Sequence, residues 1–313
     1  MENADYKVSI LIPVYNVRNF ILHCLESVAA QTFTGALECI IVDDCGTDDS
    51  IEIAEKFMDS YQGNIFFRII HHDHNRGLAA ARNTAVANAK GDFIFHLDSD
   101  DWIEPYAIER LFLLQLETDA DIVSGNALIH GPKGEIILQE RNYDSPTEMV
   151  YNTVNMTLDH VIWKRLIRRS LYIENGIVAV EGVNVGEDHY TLPKLAYYAK
   201  KISQLDETIY HYNCLNTNSY MAPNKKTYLA RVESNLKSLD ILLDFFSDKD
   251  TKCCKKLRTI KREYLKICLR SEAALNDKNI FYEISRKKKG IYYYPVYKGF
   301  VKTMRTIKKF RKG

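Results

Sequence analysis

The sequence predicts an α/β fold built on a mostly parallel, doubly wound sheet, and three observations support this. Short apolar runs, such as residues 93–95, are unbroken by polar residues, which is typical of strands buried on both faces. These runs alternate with segments of helical periodicity four times before residue 125. Polar and acidic residues directly follow the runs, at the sheet edge where open α/β folds bind ligands.

The elements of the first 125 residues can be assigned in order. Strands are expected at residues 8–13, 37–42, 65–71, 93–97 and 121–124. Apolar residues recur at helical spacing over residues 19–31, 49–61, 78–89 and 105–117. Thr47 or Asp48 is the expected N-cap of the second helix, and Pro105 suits the first turn of the fourth. Strand and helix therefore alternate as a parallel sheet requires.

The pattern changes after Gly125. Residues 127–130 and 136–139 flank a Gly-Pro-Lys-Gly turn, which predicts a hairpin, and short irregular elements follow. Helical periodicity returns from Lys225. We therefore predict one domain over residues 1–220 and a helical extension over residues 221–313.

Composition limits the class of protein. The chain has 313 residues, 46% of them hydrophobic, as in ordinary globular proteins. Residues 252–313 carry 20 Lys and Arg against four Asp and Glu, whereas residues 1–251 carry 22 against 37. The seven cysteines lack metal-ligand spacing, so neither a disulfide framework nor a zinc site is expected. With no signal peptide or membrane span apparent, we expect a cytoplasmic protein.

The clearest chemical signal is the acidic turn after the fourth strand. Asp98, Asp100 and Asp101 place three carboxylates within four residues, and these repel one another unless a cation or several donors share them. A turn alone needs one such residue. Carboxylate oxygens suit Mg²⁺ or Mn²⁺, whose coordination is often completed by phosphate oxygens of a substrate. A nucleotide diphosphate is the expected partner.

The other polar loops allow plainer interpretations. Asp43 or Asp44 could be a turn former after the second strand, about as readily as a ligand residue. Gly77 could serve turn geometry alone, and Arg82 could lie on a solvated helix face. Trp102 is more often a packing residue than a binding one.

Four motifs give this sequence a family resemblance. In order, they are Pro13-Val-Tyr15-Asn16, Val42-Asp43-Asp44-Cys45-Gly46-Thr47-Asp48-Asp49-Ser50, Asn75-Arg76-Gly77 with Ala81-Arg82-Asn83, and Leu97-Asp98-Ser-Asp100-Asp101. The chain resembles the family 2 glycosyltransferases of GT-A fold, small bacterial members in particular. Their second motif has Gly-Ser where this chain has Cys45-Gly46, a departure expected to be mild because a glycine remains. The resemblance covers residues 7 to about 125 firmly.

The resemblance implies roles for the first half, residues 1–125, as the nucleotide-sugar half. Pro13, Tyr15 and Asp44 would hold the base and ribose, with Asp43 among the same residues. The loop of Arg82 would lie near the base or diphosphate. Asp98 and Asp100 would form the Asp-x-Asp motif at the ribose and at Mn²⁺ or Mg²⁺. The motif fits in two registers, so either Asp100 or Asp101 could be the direct metal ligand.

Residues 126–220 resemble the acceptor half of the same family more loosely. Glu187-Asp188 resembles the pair that supplies the catalytic base, which would be Asp188, with Glu187 at the nucleotide sugar. The plainer interpretation is that this pair begins a helix. His189 or His211 could be a third metal ligand, although neither is expected individually.

The resemblance implies an inverting transfer of one sugar from a nucleotide-diphosphate sugar to an acceptor hydroxyl. Neither Trp102 nor Trp163 follows the Gln-x-x-Arg of processive synthases. The expected acceptor is a glycan or glycolipid, such as a lipid-linked glycan in bacterial surface polysaccharide synthesis.

Alternatives from other classes are a sugar-nucleotide nucleotidyltransferase and a non-catalytic nucleotide-binding protein. The former should carry a Gly-rich phosphate loop after the first strand, where this chain has Pro13-Val-Tyr15-Asn16.

The basic, aromatic segment 286–313 could attach the protein to an anionic membrane surface or remain solvated. Nucleic acid is not an expected partner, since no recognition fold accompanies the charge.

Overall fold

The computed structural model describes residues 5–132, 134–155, 160–216 and 225–270, with side chains in the last range from 233 to 266. Two compact units, Met1–Ala222 and Pro223–Gly313, make up the chain and are described separately. The predicted membrane-binding segment, residues 286–313, lies outside the described residues. In the part that the structure describes, no helix has the length and apolar character needed to cross a membrane.

The first unit contains a nine-stranded sheet in the order β3-β2-β1-β4-β8-β6-β9-β5, with β7 paired to β6. Its strands are β1 (Val8–Val14), β2 (Leu37–Asp43), β3 (Phe66–His71), β4 (Phe93–His96), β5 (Trp102–Ile103), β6 (Ile122–Gly131), β7 (Gly134–Leu138), β8 (Arg165–Arg168) and β9 (Ile202–Asn213). Strands β1 to β4, β6 and β9 run in one direction, and β5, β7 and β8 run in the other. The carboxyl ends of β1, β2 and β4 therefore share one edge.

Helices connect and cover these strands. They are α1 (Ile21–Ala29), α2 (Ser50–Ser60), α3 (Leu78–Asn88), α4 (Ala107–Thr118), α5 (Pro146–Thr153), α6 (Arg169–Glu174) and α7 (Asp188–Tyr198). Alternate residues of β1, including Ile10 and Ile12, share a core with Leu25 of α1 and Leu111 of α4. Helix α3 packs against β1 and β2. All seven residues of β1 are buried, as its largely apolar sequence predicts.

Three local predictions differ from the structure. Helix α2 has Asp49 at its N-cap, while Asp48, one residue earlier, accepts from the Ser50 backbone N–H at 3.0 Å. The sequence predicts Pro105 in the first turn of the fourth helix, but helix α4 begins two residues later, at Ala107. The Pro105 carbonyl accepts from the Thr32 N–H at 2.8 Å. Strand β6 continues through Gly125, where we expected a break. Its pairing with β9 shifts register there, and a Cβ on Gly125 would lie 2.4 Å from Ile209, so the close approach of the two strands favours a glycine.

The second unit, within its described residues, contains two helices, α8 (Lys225–Phe245) and α9 (Thr251–Arg270). They contact each other. Lys261 pairs with Asp240 across them, and the Asn235 amide donates to the Tyr264 hydroxyl at 2.7 Å. The helical character predicted for this part of the chain is therefore present in residues 225–270.

Candidate active site

The acidic turn lies at the carboxyl end of β4, at the sheet edge where the sequence predicts a ligand site. The Asp101 N–H donates to the Asp98 carbonyl at 3.0 Å, which closes the turn before β5 begins. The side chain of Asp98 is 23% exposed, whereas Asp101 is only 1% exposed. The three carboxylates therefore occupy different environments.

Asp101 is fixed in the interior by strand β9. Its Oδ2 accepts from the Tyr210 hydroxyl at 2.7 Å, and its Oδ1 accepts from the Asn213 N–H at 2.7 Å. Burial, followed by the charges of Asp100 and Asp98, raises the pKa of Asp101 well above its usual range. Both carboxylate oxygens are thus engaged by protein donors.

Asp100 is less enclosed and has a different partner. Its Oδ2 accepts from the Asn216 side-chain amide at 2.8 Å, and its backbone carbonyl accepts from the Asn213 amide at 3.2 Å. Burial and then the charge of Asp98 raise the pKa of Asp100. Two repelling carboxylates with hard oxygen atoms suit Mg²⁺ or Mn²⁺. Among the described residues, no group of three His, Cys, Asp or Glu side chains could hold a metal by itself.

Arg82 connects this turn to the second half of the domain. Its Nη2 donates to Asp98 Oδ1 at 2.6 Å, and its Nη1 donates to Asp188 Oδ1 at 2.6 Å and to Glu187 Oε1. The guanidinium is 5% exposed. Burial alone would lower the pKa of Arg82, but the charges of Asp98 and Asp188 outweigh it and raise that pKa. The solvated-face interpretation of Arg82 is therefore wrong.

Glu187 and Asp188 begin helix α7, as the plainer interpretation expected. Glu187 stands at the N-cap and Asp188 in the first turn, yet neither caps the helix with its side chain. Both side chains point instead at Arg82. Glu187 and Asp188 therefore begin the helix and also pair with Arg82.

Asp44 organises the loop before α3. Its Oδ1 accepts from the Arg76 N–H and its Oδ2 from the Gly77 N–H, both at 2.8 Å, and His72 Nδ1 lies 2.7 Å from Oδ1. Gly77 has φ +86°, and a Cβ there would lie 2.1 Å from the Asn184 amide, so turn geometry requires this glycine. Asp44 is buried and positions the loop that leads to Arg82.

The remaining residues predicted for the nucleotide differ in accessibility. Pro13 is buried in β1, opposite Val42 of β2, whereas Tyr15 is 43% exposed just beyond that strand. Asp43 accepts from the Cys45 N–H at 3.0 Å and lies 2.9 Å from the exposed His71 ring. Asp43 is therefore a turn former that also reaches the surface.

The departure at Cys45 has a visible consequence. Cys45 has φ +54°, the left-handed region that a glycine would adopt without cost. Its thiol contacts the carbonyl of His72 at 2.9 Å. The left-handed conformation thus falls on Cys45 itself and not on the glycine after it.

The histidines considered as metal ligands have other partners. His211 places Nε2 3.0 Å from Glu104 and Nδ1 2.9 Å from His130, and Trp102 stacks on its ring. The half-buried His189 ring lies edge-to-face against the buried His160 ring. Trp102 packs, as expected.

Sequence reasoning did not single out Tyr210, Asn213 or Asn216. These residues lie at the end of β9 or just after it, and they contact Asp100 and Asp101 of the acidic turn. The available signal was polar residues after a strand, the same signal that pointed to the acidic turn.

The Glycosyl transferase family 2 pattern matches residues 9–176, more than half of the chain. The chain belongs to glycosyltransferase family 2. The predicted family, and the glycosyltransferase class that it defines, are confirmed.

A relative and two solved structures show the extent of the similarity. Glycosyltransferase GlyA of Streptococcus pneumoniae is 30% identical over 260 residues, which is 79% of this chain but 35% of GlyA. The S. aureus TarS 1-349 complex with UDP-GlcNAc has a TM-score of 0.57 at 19% identity, covering 92% of this chain and 93% of that one. The mannosyltransferase PcManGT of Pyrobaculum calidifontis, with GDP-Man and Mn²⁺, has a TM-score of 0.59 at 14% identity, covering 97% and 81%. The predicted GT-A fold is confirmed.

Proposed function

We propose that this protein transfers one sugar from a nucleotide-diphosphate sugar to an acceptor hydroxyl, with inversion and with Mn²⁺ or Mg²⁺. The observation that carries the proposal is the cluster that Arg82 forms with Asp98, Glu187 and Asp188. One guanidinium lies 2.6 Å from Asp98 of the nucleotide-sugar half and 2.6 Å from Asp188 of the acceptor half. The similar structures with UDP-GlcNAc and with GDP-Man and Mn²⁺ support a donor of this chemical class.

On the donor side, the exposed Tyr15 ring offers a surface for the base, next to Pro13 and Asp43. Asp44 keeps the loop of Gly77 in place, so its contribution to nucleotide binding includes loop positioning. Asp98 and Asp100 would hold the metal, which supplies Lewis-acid stabilisation of the leaving diphosphate.

On the acceptor side, Asp188 acts as the base. The acceptor oxygen forms a bond to the anomeric carbon as the bond to the diphosphate oxygen breaks. The acceptor proton passes to a carboxylate oxygen of Asp188, and the electron pair leaves with the diphosphate. Arg82 donates to Oδ1 of Asp188, which orients the carboxylate. Glu187 shares the same guanidinium beside the nucleotide sugar.

The acceptor in this proposal is a glycan or lipid-linked glycan, used at the cytoplasmic membrane surface. Attachment through residues 286–313 would bring the enzyme to such an acceptor. Sedimentation with anionic vesicles tests the attachment, and a truncation of 286–313 that sediments like the full chain would refute it.

The test of activity is release of nucleoside diphosphate from a panel of sugar nucleotides, with Mn²⁺ or Mg²⁺ and an extract of lipid-linked acceptors. Removing a general base costs about 10²–10⁴-fold in rate, so Asp188→Asn should lose that much kcat. Asp100→Ala should lose donor and metal affinity as well. Asp59→Asn, an exposed change on α2, is the matched control and should behave as wild type.

Donor binding separates the two roles. Asp188→Asn should bind the sugar nucleotide as wild type does, because the base contacts the acceptor. No turnover of any donor, with Asp188→Asn and wild type indistinguishable, would contradict the proposal.

A further inference from the structure

Two asparagines at and after the end of β9 contact Asp100, the residue proposed to bind the metal. The side-chain amide of Asn216 donates to Asp100 Oδ2 at 2.8 Å, and the amide of Asn213 donates to the Asp100 carbonyl at 3.2 Å. The Asn213 Oδ1 in turn accepts from the Leu215 N–H at 3.0 Å, which shapes the turn that presents Asn216. Asn216 is 9% exposed, so its amide is held at the carboxylate by its surroundings.

The protein oxygen atoms identified so far fill only part of the coordination shell of the proposed cation. Mg²⁺ and Mn²⁺ favour octahedral oxygen coordination. Asp98 and Asp100 supply carboxylates, and Asp101 has both oxygens engaged by Tyr210 and Asn213. The histidines 189 and 211 lie in other contacts. The diphosphate supplies further oxygens, and a neutral oxygen donor next to Asp100 would complete the protein's share.

We propose that Asn216 supplies its side-chain amide oxygen as a further ligand of the metal bound at Asp100. This inference rests on the proposed function. An amide has an NH₂ at one end and a carbonyl at the other, and rotation of the group exchanges them. Facing a bare carboxylate, the NH₂ end donates, as seen here. Facing a cation on that carboxylate, the carbonyl end is the favourable one, and carbonyl oxygens suit Mg²⁺ and Mn²⁺.

A competing role makes the opposite prediction. If Asn216 only donates to Asp100, it stabilises the metal-free carboxylate and competes with the cation. Replacing it by an apolar residue of similar size would then tighten metal binding. If Asn216 is a ligand, the same replacement weakens binding.

The experiment measures Mn²⁺ binding by the loss of the free-ion electron paramagnetic resonance signal, with UDP or GDP present. Wild type is compared with Asn216→Leu, Asn216→Cys and Asp100→Ala, and with Asn88→Leu as an exposed control on α3. Asn216→Leu should bind Mn²⁺ about 10-fold more weakly. Asn216→Cys should shift preference from Mn²⁺ toward Cd²⁺, measured by competition, because thiolates favour softer ions. Wild type, which already carries Cys214, is the reference for that shift.

The outcomes separate this inference from the proposed function. Weaker Mn²⁺ binding by Asn216→Leu and a Cd²⁺ shift in Asn216→Cys support the ligand role. Unchanged or tighter binding by Asn216→Leu, with Asp100→Ala still deficient, overturns the ligand role and leaves the proposed metal site standing. If wild type and Asp100→Ala bind Mn²⁺ equally, both fail. Since Asn216→Leu could unfold, its thermal transition is recorded, and the Cd²⁺ preference of Asn216→Cys then decides alone.

Discussion

Replacing Arg82 by methionine removes the cation that the structure places between three carboxylates. Methionine keeps much of the aliphatic stem but leaves Asp98, Glu187 and Asp188 without this partner. Removing one partner of a buried ion pair costs about 3–5 kcal/mol, since uncompensated charge stays in the interior. Treating the three contacts as independent would give more, but contacts that share one guanidinium are not additive. We expect Arg82→Met to lose about 3–5 kcal/mol of unfolding free energy at pH 7.

The assay is urea unfolding followed by circular dichroism at pH 7. Arg82→Lys keeps the charge but not the planar fork, and should lose less unfolding free energy than Arg82→Met. A loss below about 1 kcal/mol for Arg82→Met, or an equal loss for Arg82→Lys, would show that Arg82 does not stabilise these three carboxylates in this way.

Three further outcomes follow from single contacts. Burial lowers the pKa of His189 to about 4, below its ordinary 6.5, so the unfolded chain binds more protons between these values. The contribution of neutral His189 to the unfolding free energy is therefore complete above pH 6.5, and about 2 kcal/mol of it is lost as the pH decreases from 7 to 5. In urea unfolding, His189→Phe should not show this part of the loss. Cys45→Val should lose about 1–2 kcal/mol of unfolding free energy because a branched residue is disfavoured in the left-handed region, whereas Cys45→Gly should lose no more than about 1 kcal/mol. Equal losses for the two variants would rule out backbone strain at this position. Tyr210→Phe removes the donor to Asp101 Oδ2 and the acceptor of the Asp98 N–H, and a loss of unfolding free energy outside about 1–3 kcal/mol would contradict the described role of the hydroxyl.

The sequence was informative where one signal acts locally. The apolar runs of β1, β2 and β4 predicted buried strands, and the residues after them predicted which loops meet at one edge. It was uninformative where position depends on distant pairing. Strand β8 lies antiparallel between β4 and β6, although it follows both of them in the sequence by many residues. A strand of four residues carries too short a pattern to specify which strands it pairs with.

The same limit explains the site. Arg82 looks like an exposed helix residue in a one-dimensional pattern, because its partners Glu187 and Asp188 are about a hundred residues away. The family resemblance placed the loop of Arg82 near the base or diphosphate and Asp188 at the acceptor, but it did not predict their direct contact. Asn216 shows only the general signal of a polar residue after a strand, and its place beside the acidic turn becomes clear once β9 is seen to end there.

The choice between Asp100 and Asp101 shows how an identical residue type acquires two roles. In sequence the two carboxylates are interchangeable, and both registers of the motif are allowed. In the fold, β9 donates the Tyr210 hydroxyl and the Asn213 N–H to Asp101, so a metal there would have to displace two protein donors. At Asp100 the described side-chain donor is one amide, whose other end is a carbonyl oxygen. The cost of binding is therefore lower at Asp100, and we infer that Asp101 anchors the turn while Asp100 meets the metal.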